Sequence, residues 1–434
     1  MTTRKIYDVA VVGAGMFGSA AAKYLSKQGL KVAVVGPAEP ASKAAAEVQR
    51  VFGAYYDQAR ITRRLGWDQV WGTTDSRSMN RFADLEEESG VNFFNEVGSL
   101  VVMASSIKSR TDKIVQQCQE EKISVQRLSA TKLSERFPYL QMPPIVGGVE
   151  GLYEERLAGY LNPRQLVKAQ LKLAEQAGAE LVRGTVQGIV QDKRTGLRTV
   201  GIIDSPILSV QAKRVLVAAG AFSNFNNLLQ DSEKVKLHSF TEPNLLYEID
   251  ENEAMRLKGM PATVTVDPED TGAKNMSVYL VPPVQYPDGK WYVRIGPGMQ
   301  PIVSELKTLE EMRDWYLSQE ITSEQRSFLE HMMDTLLPDI RVKAVRTASC
   351  IIEKTPTRYF YSGSVSDDEN VHVIVGGNGH GARGSDEIGR LAAKTLMGDT
   401  WDFPTPYEKF RPRLMTEGTD ESDLGFLRPP FGLC

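Results

Sequence analysis

The residues best suited to chemistry are concentrated in a C-terminal stretch that begins at Cys350. The apolar run 371–375 predicts a strand, the glycine-rich run 376–381 predicts a turn, and a helical pattern follows around Arg383. Such a strand–turn–helix directs backbone N–H groups and the positive end of the helix dipole toward one point. That point suits an anion, or a group that becomes anionic during a reaction. A thiol and an arginine lie at the two ends of the stretch. They indicate that a bound group is held there and that its charge distribution is influenced by the protein.

The N-terminus carries a second informative stretch. Residues 6–12 predict a buried strand, which runs into Gly13-Ala14-Gly15-Met16-Phe17-Gly18 and then into a helix, and residues 31–35 predict the next strand. A G-x-G-x-x-G run in this setting predicts a bound dinucleotide, with a tight turn that needs glycines as the alternative. The acidic residue expected after the second strand is replaced by Gly36, and Glu39 is the nearest substitute for the ribose contact.

Small residues elsewhere mark places where a backbone can approach a flat ring closely. The run 41–46 is rich in alanine, and its Ser42 and Lys43 are placed to reach phosphate or ribose oxygens, although a plain helix start explains the run equally well. An apolar strand predicted from residue 214 also ends in small residues. The cofactor contacts predicted at these positions are Ser42, Lys43, Ala45, Val186, Ala219 and Gly220.

Four arginines follow the alanine-rich run, on what the pattern predicts to be a helix. Most arginines in such a cluster are solvated surface residues, and one of them is a candidate to face the bound group. These residues are Arg50, Arg60, Arg63 and Arg64.

Composition excludes several classes of protein. The chain has 434 residues, which favours two joined domains, and it is 41% hydrophobic and 24% charged, as is typical of soluble globular proteins. A net charge of −4 is not the footprint of a nucleic-acid or membrane binder, and no apolar run is long enough to span a bilayer. The N-terminus lacks a signal-peptide profile. Three widely spaced cysteines and four scattered histidines favour a reducing, cytoplasmic location and no metal site.

The order of the elements predicts an α/β fold. A discontinuous Rossmann-like domain is expected to be interleaved with an α+β substrate domain built on an antiparallel sheet. The nucleotide domain is assigned to residues 1–95, 155–232 and 346–415, the substrate domain to 96–154 and 233–345, and a C-terminal tail to 416–434. Further predicted elements are helices over 106–121, 164–178, 309–317 and 323–337, turns at Pro143-Pro144 and 286–290, and a strand over 291–296.

Taken in this order, the pieces resemble the D-amino-acid oxidase/glycine oxidase superfamily of flavoproteins. They are most similar to its monomeric sarcosine oxidase and fructosyl amino acid oxidase branch, and the resemblance covers nearly the whole chain. In that branch a cysteine lies six residues before the proline of a Thr-Pro pair, and a Gly-His-Gly-x-Lys turn follows. Here Cys350 lies six residues before Pro356, and Gly379-His380-Gly381-Ala382-Arg383 follows. The resemblance implies that FAD is bound, with a thioether from Cys350 to the flavin 8α position.

Three positions depart from the family pattern. Arg383 replaces the lysine that binds the substrate carboxylate, and a guanidinium can hold a carboxylate through two parallel hydrogen bonds. Ile352 replaces the aromatic residue that lies two places after the cysteine. Arg294 is the nearest match to the lysine that lies over the flavin and activates oxygen. The resemblance therefore leaves open whether the enzyme is an oxidase or a dehydrogenase.

The resemblance implies that the C–N bond of an amino acid, or of an N-methyl or glycated amino acid, is oxidised to an imine, which water then hydrolyses. Backbone donors at 379–382 are expected to stabilise negative charge on the reduced flavin. Arg383 and Arg50 are predicted to fix the substrate carboxylate. Tyr247 and Tyr279 are predicted walls of the substrate pocket, with a core or interface position as the equal alternative.

The expected partners are a small amine or amino-acid substrate and oxygen or another electron acceptor, and the expected assembly is a monomer or small homo-oligomer. Two other functions stay open at this point. One is a flavin dehydrogenase of a hydroxy acid, and the other is a non-catalytic flavoprotein subunit. Because fold does not determine substrate, reduction of the flavin by amines or by hydroxy acids is the observation that separates them.

Overall fold

The computed structural model describes residues 5–66, 68–142, 147–266, 277–298 and 303–418. The predicted Pro143-Pro144 turn, Cys434 and residues 419–434 of the predicted tail lie outside them. The strands are β1 (Ile6–Val12), β2 (Val32–Val35), β3 (Arg60–Thr62), β4 (Phe94–Asn95), β5 (Ser99–Ala104), β6 (Gln126–Ser129), β7 (Val149–Glu154), β8 (Gly159–Leu161), β9 (Glu180–Val182), β10 (Thr185–Gln191), β11 (Arg198–Ile203), β12 (Ser209–Val217), β13 (His238–Ile249), β14 (Ala262–Val266), β15 (Val278–Gln285), β16 (Trp291–Pro297), β17 (Glu305–Leu306), β18 (Ala344–Lys354), β19 (Tyr361–Ser364) and β20 (Val371–Val375). The α-helices are α1 (Met16–Lys27), α2 (Lys43–Val48), α3 (Gln69–Met79), α4 (Phe82–Ser89), α5 (Lys108–Glu120), α6 (Ala130–Arg136), α7 (Pro163–Gln176), α8 (Glu251–Arg256), α9 (Leu309–Ser318), α10 (Ser323–Leu336) and α11 (Gly381–Met397).

The first sheet has the strand order β10-β11-β12-β1-β2-β9, and β20 lies beside β12. Strands β1, β2, β9, β12 and β20 run parallel to their neighbours in this core. Helices α1, α7 and α11 pack together against β1, β2 and β20. Parallel strands that are covered on both faces are almost wholly apolar, as β1, β2 and β20 are here. The predicted Rossmann-like fold is confirmed.

The second sheet has the strand order β17-β13-β16-β15-β14-β5-β7-β6, and β18 pairs with the other edge of β13. Its pairs are antiparallel except for β14 with β5. The hairpin predicted at 286–290 joins β15 to β16 and is confirmed. The predicted boundary between residues 345 and 346 falls inside β18, which pairs with β13 over its whole length. The division into two domains stays a proposal.

Helices with clear start signals agree with the sequence predictions. Those predicted over 106–121, 164–178, 309–317 and 323–337 are confirmed within two residues at each end. Both α9 and α10 begin with a capping box, in which a threonine side chain and a Glu or Gln three residues later satisfy each other's backbone N–H groups. Local chemistry therefore determines where these helices begin.

The helix predicted for the arginine cluster is wrong. Residues 60–62 form β3, which pairs with β8 in a small third sheet that also contains β4. Pairing with β8 supplies the backbone hydrogen bonds that a helix would otherwise provide, so tertiary structure overrides the local pattern. This strand brings Arg60 and Ile61 to the wall of a cavity. Within the described ranges, no helix is long and apolar enough to cross a membrane.

Candidate active site

A large cavity extends from the β1–α1 turn to the inner face of the second sheet. One end is formed by the turn itself and by the ends of β2, β10 and β12, and the other end by β13, β15, β16 and β18. The turn before α11 lies between these two ends. Predicted site residues that line the cavity are Gly13, Ala14, Gly15, Met16, Phe17, Val186, Ala219, Gly220, Tyr279, Arg294, Cys350, Ile352, Gly379, His380, Gly381, Ala382 and Arg383.

The three glycines of the fingerprint have different roles. Gly13 has φ +115°, and a Cβ there would lie 2.2 Å from the carbonyl oxygen of Ala218. A Cβ on Gly18 would lie 1.9 Å from the carbonyl oxygen of Gly13, so this residue permits close packing and does not line the cavity. A Cβ on Gly15 would meet only Tyr55, at 3.9 Å. Gly15 therefore opens onto the cavity at the N-terminus of α1, where it provides no side-chain cap.

The ribose position lacks the usual acid for a steric reason. A Cβ on Gly36 would lie 2.8 Å from the backbone nitrogen of Ala14, so a larger residue does not fit beside the fingerprint turn. Glu39, the predicted substitute, accepts hydrogen bonds from Arg164 Nε at 2.7 and 3.0 Å and is not part of the cavity lining. The structure does not bring Glu39 to the site.

The polar residues predicted in the alanine-rich run also lie outside the lining. The Ser42 hydroxyl accepts a hydrogen bond from the Ala45 N–H at 3.2 Å and caps α2. Lys43 and Arg50 are exposed to solvent. None of these four residues lines the cavity, and α2 buries none of its residues.

Side-chain hydrogen bonds tie the turn before α11 to β18 and to the residue that follows β18. The Oε1 atom of Glu353 accepts the N–H groups of Gly376 and Gly377 at 2.9 and 3.1 Å. The side-chain oxygen of Asn378 accepts the N–H of Thr355 at 3.0 Å. The N-cap residue, His380, gives α11 no side-chain hydrogen bond. The N-terminus of this helix therefore keeps N–H groups for an acceptor in the cavity.

Cys350 faces the cavity from β18. Its Sγ atom lies 3.6 Å from Nη2 of Arg60. Both described cysteines are free thiols. The other, Cys118, is 2% exposed in α5, and burial raises its pKa to about 12. Cys118 is a core residue, whereas Cys350 is placed to meet a ligand.

Arg294 belongs to a buried polar network. It pairs with Asp57, which also pairs with Arg60 and accepts a hydrogen bond from the Tyr286 hydroxyl at 2.9 Å. The Nη2 atom of Arg294 donates to the Tyr279 hydroxyl at 2.9 Å. Burial alone would raise the pKa of Asp57, but Arg294 and Arg60 outweigh it and lower that pKa to about 2. Arg294 is thus a fixed cation at the end of the cavity that the second sheet forms.

Arg383 has partners of its own. Its Nε atom donates to Asp75 on α3, and its Nη2 lies 2.7 Å from Nδ1 of His380. Burial raises the pKa of Asp75 to about 6 against the lowering effect of Arg383. Burial, followed by the charge of Arg383, lowers the pKa of His380 well below its usual value. His380 is therefore a neutral ring near physiological pH.

Tyr247 is placed differently from Tyr279. Its side chain belongs to the apolar core between β13 and α10, and burial raises the pKa of its hydroxyl. It does not line the cavity, so of the two alternatives weighed for this residue the structure shows a core position. Residues that the sequence did not single out, and that line or support the site, are Asp57, Asp75, Glu242, Tyr316 and Glu353. Glu242 lies in a strand that contains several other polar residues, so the local sequence does not single it out.

The cavity suits a dinucleotide with a flat ring system. The N-termini of α1 and α11 both open onto it without side-chain caps, and each suits negative charge. The open space at Gly15 is a cradle that a Cβ would fill. Among the described residues, no group of three or more His, Cys, Asp or Glu side chains is arranged to hold a metal ion. The fold and site are those of a flavin-dependent oxidoreductase.

Residues 8–395 match the family described as FAD dependent oxidoreductase (DAO), and the chain belongs to that family. It is 25% identical to monomeric sarcosine oxidase of Arthrobacter sp. (strain TE1826) over 430 residues, which cover 96% of this chain and 100% of the relative. It is 23% identical to N-methyl-L-tryptophan oxidase of Yersinia pestis (strain Pestoides F), covering 93% and 97%. The solved structure of NikD, an amino acid oxidase, matches with a TM-score of 0.74 at 20% identity and covers 96% of this chain and 100% of its own. The predicted superfamily and its FAD-dependent oxidoreductase activity are confirmed.

Proposed function

We propose that the protein oxidises the C–N bond of an amino acid or an N-substituted amino acid, with FAD bound in this cavity. One observation carries the proposal: four guanidinium groups line the same cavity as the dinucleotide fingerprint and Cys350. These groups belong to Arg60, Arg63, Arg294 and Arg383. Guanidinium groups suit a substrate that carries a carboxylate. The names of the two oxidase relatives support an N-methyl amino acid as the substrate class.

The protein's own residues contribute orientation and charge. When bound, FAD supplies a hydride acceptor for the substrate α-carbon. The backbone N–H groups at the start of α11 favour negative charge at their end of the cavity. Arg383 and Arg63 receive the substrate carboxylate, and Tyr279, held by Arg294, forms a wall of the pocket. Water hydrolyses the imine product, so no side chain need act as a nucleophile.

We further propose a covalent link between Cys350 and the flavin. The position of its Sγ in the cavity wall and its free thiol state support this link. The test is acid precipitation of wild type, Cys350→Ser and Cys118→Ser. Flavin should stay with the chain in wild type and in Cys118→Ser, and it should move to the supernatant in Cys350→Ser. Cys118 is a matched control because it is a buried thiol outside the cavity. Free flavin from fully loaded wild type contradicts the link.

Substrate class is tested by anaerobic bleaching of the flavin. We expect N-methyl amino acids, glycated amino acids or D-amino acids to bleach the flavin. One of these three classes should reduce it much faster than the other two. Bleaching by 2-hydroxy acids alone contradicts the proposal and indicates a hydroxy-acid dehydrogenase. If neither amines nor hydroxy acids reduce the flavin, the protein is a non-catalytic flavoprotein.

A further inference from the structure

Glu242 is a buried acid in the cavity wall that the proposed function does not use. It lies in β13, is 6% exposed, and lines the cavity. In the antiparallel pairing of β13 with β18 it lies directly opposite Cys350. Residues in such positions project from the same face of a sheet, so the carboxyl group and the thiol face the cavity together.

The other acids of the site are occupied by strong partners. Asp57 forms ion pairs with two arginines, and Asp75 pairs with Arg383. One oxygen of Glu353 accepts two backbone N–H groups of the turn before α11. The Tyr279 hydroxyl is the neighbour that most favours the charged form of Glu242, and it donates its own proton to Asn244 Oδ1. Among the described acids of this site, Glu242 is therefore the one that neither forms an ion pair nor holds the turn before α11.

The surroundings of Glu242 shift its pKa to near neutral pH. Burial raises its pKa to about 7, against smaller lowering effects from Tyr279, Arg294, Arg60 and Lys354. The negative charge of Asp57 offsets part of the charge of these two arginines, and burial has a larger effect on the pKa of Glu242 than they do. A carboxyl group with such a pKa can both accept and return a proton at working pH.

We propose that Glu242 is the base that removes a proton from the ammonium group of the bound substrate and leaves the neutral amine that is oxidised. One N–H bond of the ammonium breaks, one O–H bond forms on Glu242, and no electrons are transferred in this step. The reason is chemical: an amino acid is a zwitterion near neutral pH, whereas loss of a hydride equivalent from the α-carbon needs the nitrogen lone pair. The inference rests on the proposed function, because it requires an amine substrate.

The first test is the pH dependence of anaerobic flavin reduction by an amino-acid substrate. In wild type, the second-order rate constant should rise with pH to about 7 and then level off. In Glu242→Gln the substrate must lose its proton to water first. That rate constant should be at least about tenfold lower at neutral pH and rise by about tenfold per pH unit. Parallel pH profiles in the two proteins overturn the assignment.

A matched substrate separates this role from a structural one. An N-substituted analogue with an electron-withdrawing group is already neutral at the assay pH and needs no base. Wild type and Glu242→Gln should reduce their flavin with this analogue at rates within about threefold of each other. Equal slowing of both substrates by the substitution indicates that Glu242 only supports the fold, and it overturns the proposal.

Failure of the variant to load FAD and failure of the proposed function can both be told apart from failure of this inference. If Glu242→Gln does not load FAD, Tyr279→Phe replaces it, because the Tyr279 hydroxyl is the neighbour that most lowers the pKa of Glu242. The inflection in the pH profile should then move to higher pH, and an unmoved inflection contradicts the role of Glu242. Wild-type flavin that no amino acid reduces contradicts the proposed function instead.

Discussion

Arg383 and Asp75 form an ion pair inside the cavity wall, between the start of α11 and α3. Their side chains are 9% and 2% exposed. The guanidinium that stands where the resembling family binds its substrate carboxylate therefore already has a carboxylate partner. A substrate carboxylate must share Arg383 with Asp75, which weakens the pair that it can form.

Arg383→Met should reduce the preference for an amino acid over its decarboxylated analogue. Loss of a buried charge-assisted pair costs on the order of 2–5 kcal/mol. We expect the lower end, about thirtyfold, because Asp75 already offsets part of the charge. The measurement is anaerobic flavin reduction with the two compounds. Arg390→Met is the matched control, since Arg390 lies on the same helix but pairs with Glu387 and Asp402 outside the cavity. Equal discrimination by wild type and Arg383→Met removes Arg383 from carboxylate binding.

Asp75 should make the protein less stable as pH rises. Its folded-state pKa of about 6 lies above the unfolded value, so the folded protein binds the proton more tightly and loses that advantage between about pH 4 and 6. The unfolding free energy of wild type minus that of Asp75→Asn should fall by about 3 kcal/mol over this range. Denaturant titration at several pH values measures it. A flat or rising difference contradicts the assigned pKa.

Asp57 should make the protein less stable as pH falls, which is opposite to the effect of Asp75. Its folded-state pKa of about 2 lies below the unfolded value, so its stabilising effect is present above about pH 4 and is lost as pH falls through about 2. The corresponding difference for Asp57→Asn should therefore fall by about 2 kcal/mol toward acid. The two variants together separate a titration effect from a general loss of stability.

Gly15→Val and Gly18→Val should have different consequences although both change the fingerprint. A side chain on Gly15 enters open cavity, so the apoprotein should keep its stability within about 1 kcal/mol but fail to load FAD. A side chain on Gly18 meets backbone at 1.9 Å, so unfolding stability should drop by about 3 kcal/mol or more. Flavin absorbance and thermal unfolding of the apoproteins measure both. Normal flavin content in Gly15→Val would show that the pyrophosphate does not lie there.

Arg294→Lys should speed the reaction of the reduced flavin with oxygen. The guanidinium of Arg294 is delocalised and held by Asp57, Asn244 and Tyr279, whereas an ammonium is a compact point charge. We expect about a tenfold faster reoxidation in air, since a concentrated charge stabilises developing negative charge on oxygen more strongly. Stopped-flow reoxidation measures it, with reoxidation by an artificial dye as the control. An unchanged oxygen rate with normal flavin reduction argues against this role for position 294.

The sequence by itself determined the nucleotide half of the site. The fingerprint from Gly13 to Gly18 and the turn from 376 to 381 consist of consecutive residues, and their chemistry is backbone chemistry. Glycine spacing and helix starts are local properties, so β1, α1, β20 and α11 were predictable, as was the superfamily. The thiol of Cys350 was found by its spacing from a proline and a glycine-rich turn.

Only the tertiary structure decided the charges at the substrate end. Asp57 meets Arg294 across 237 positions and Asp75 meets Arg383 across 308, separations that no local pattern encodes. The position of Arg60 also depends on long-range pairing. Its local pattern predicts a helix, but pairing with β8 places it in a strand. Arg50 and Arg60 look alike in sequence, but one lies in solvent and the other beside Cys350. Long-range pairing determines which charges meet, because each contact depends on sheets that form far apart along the chain.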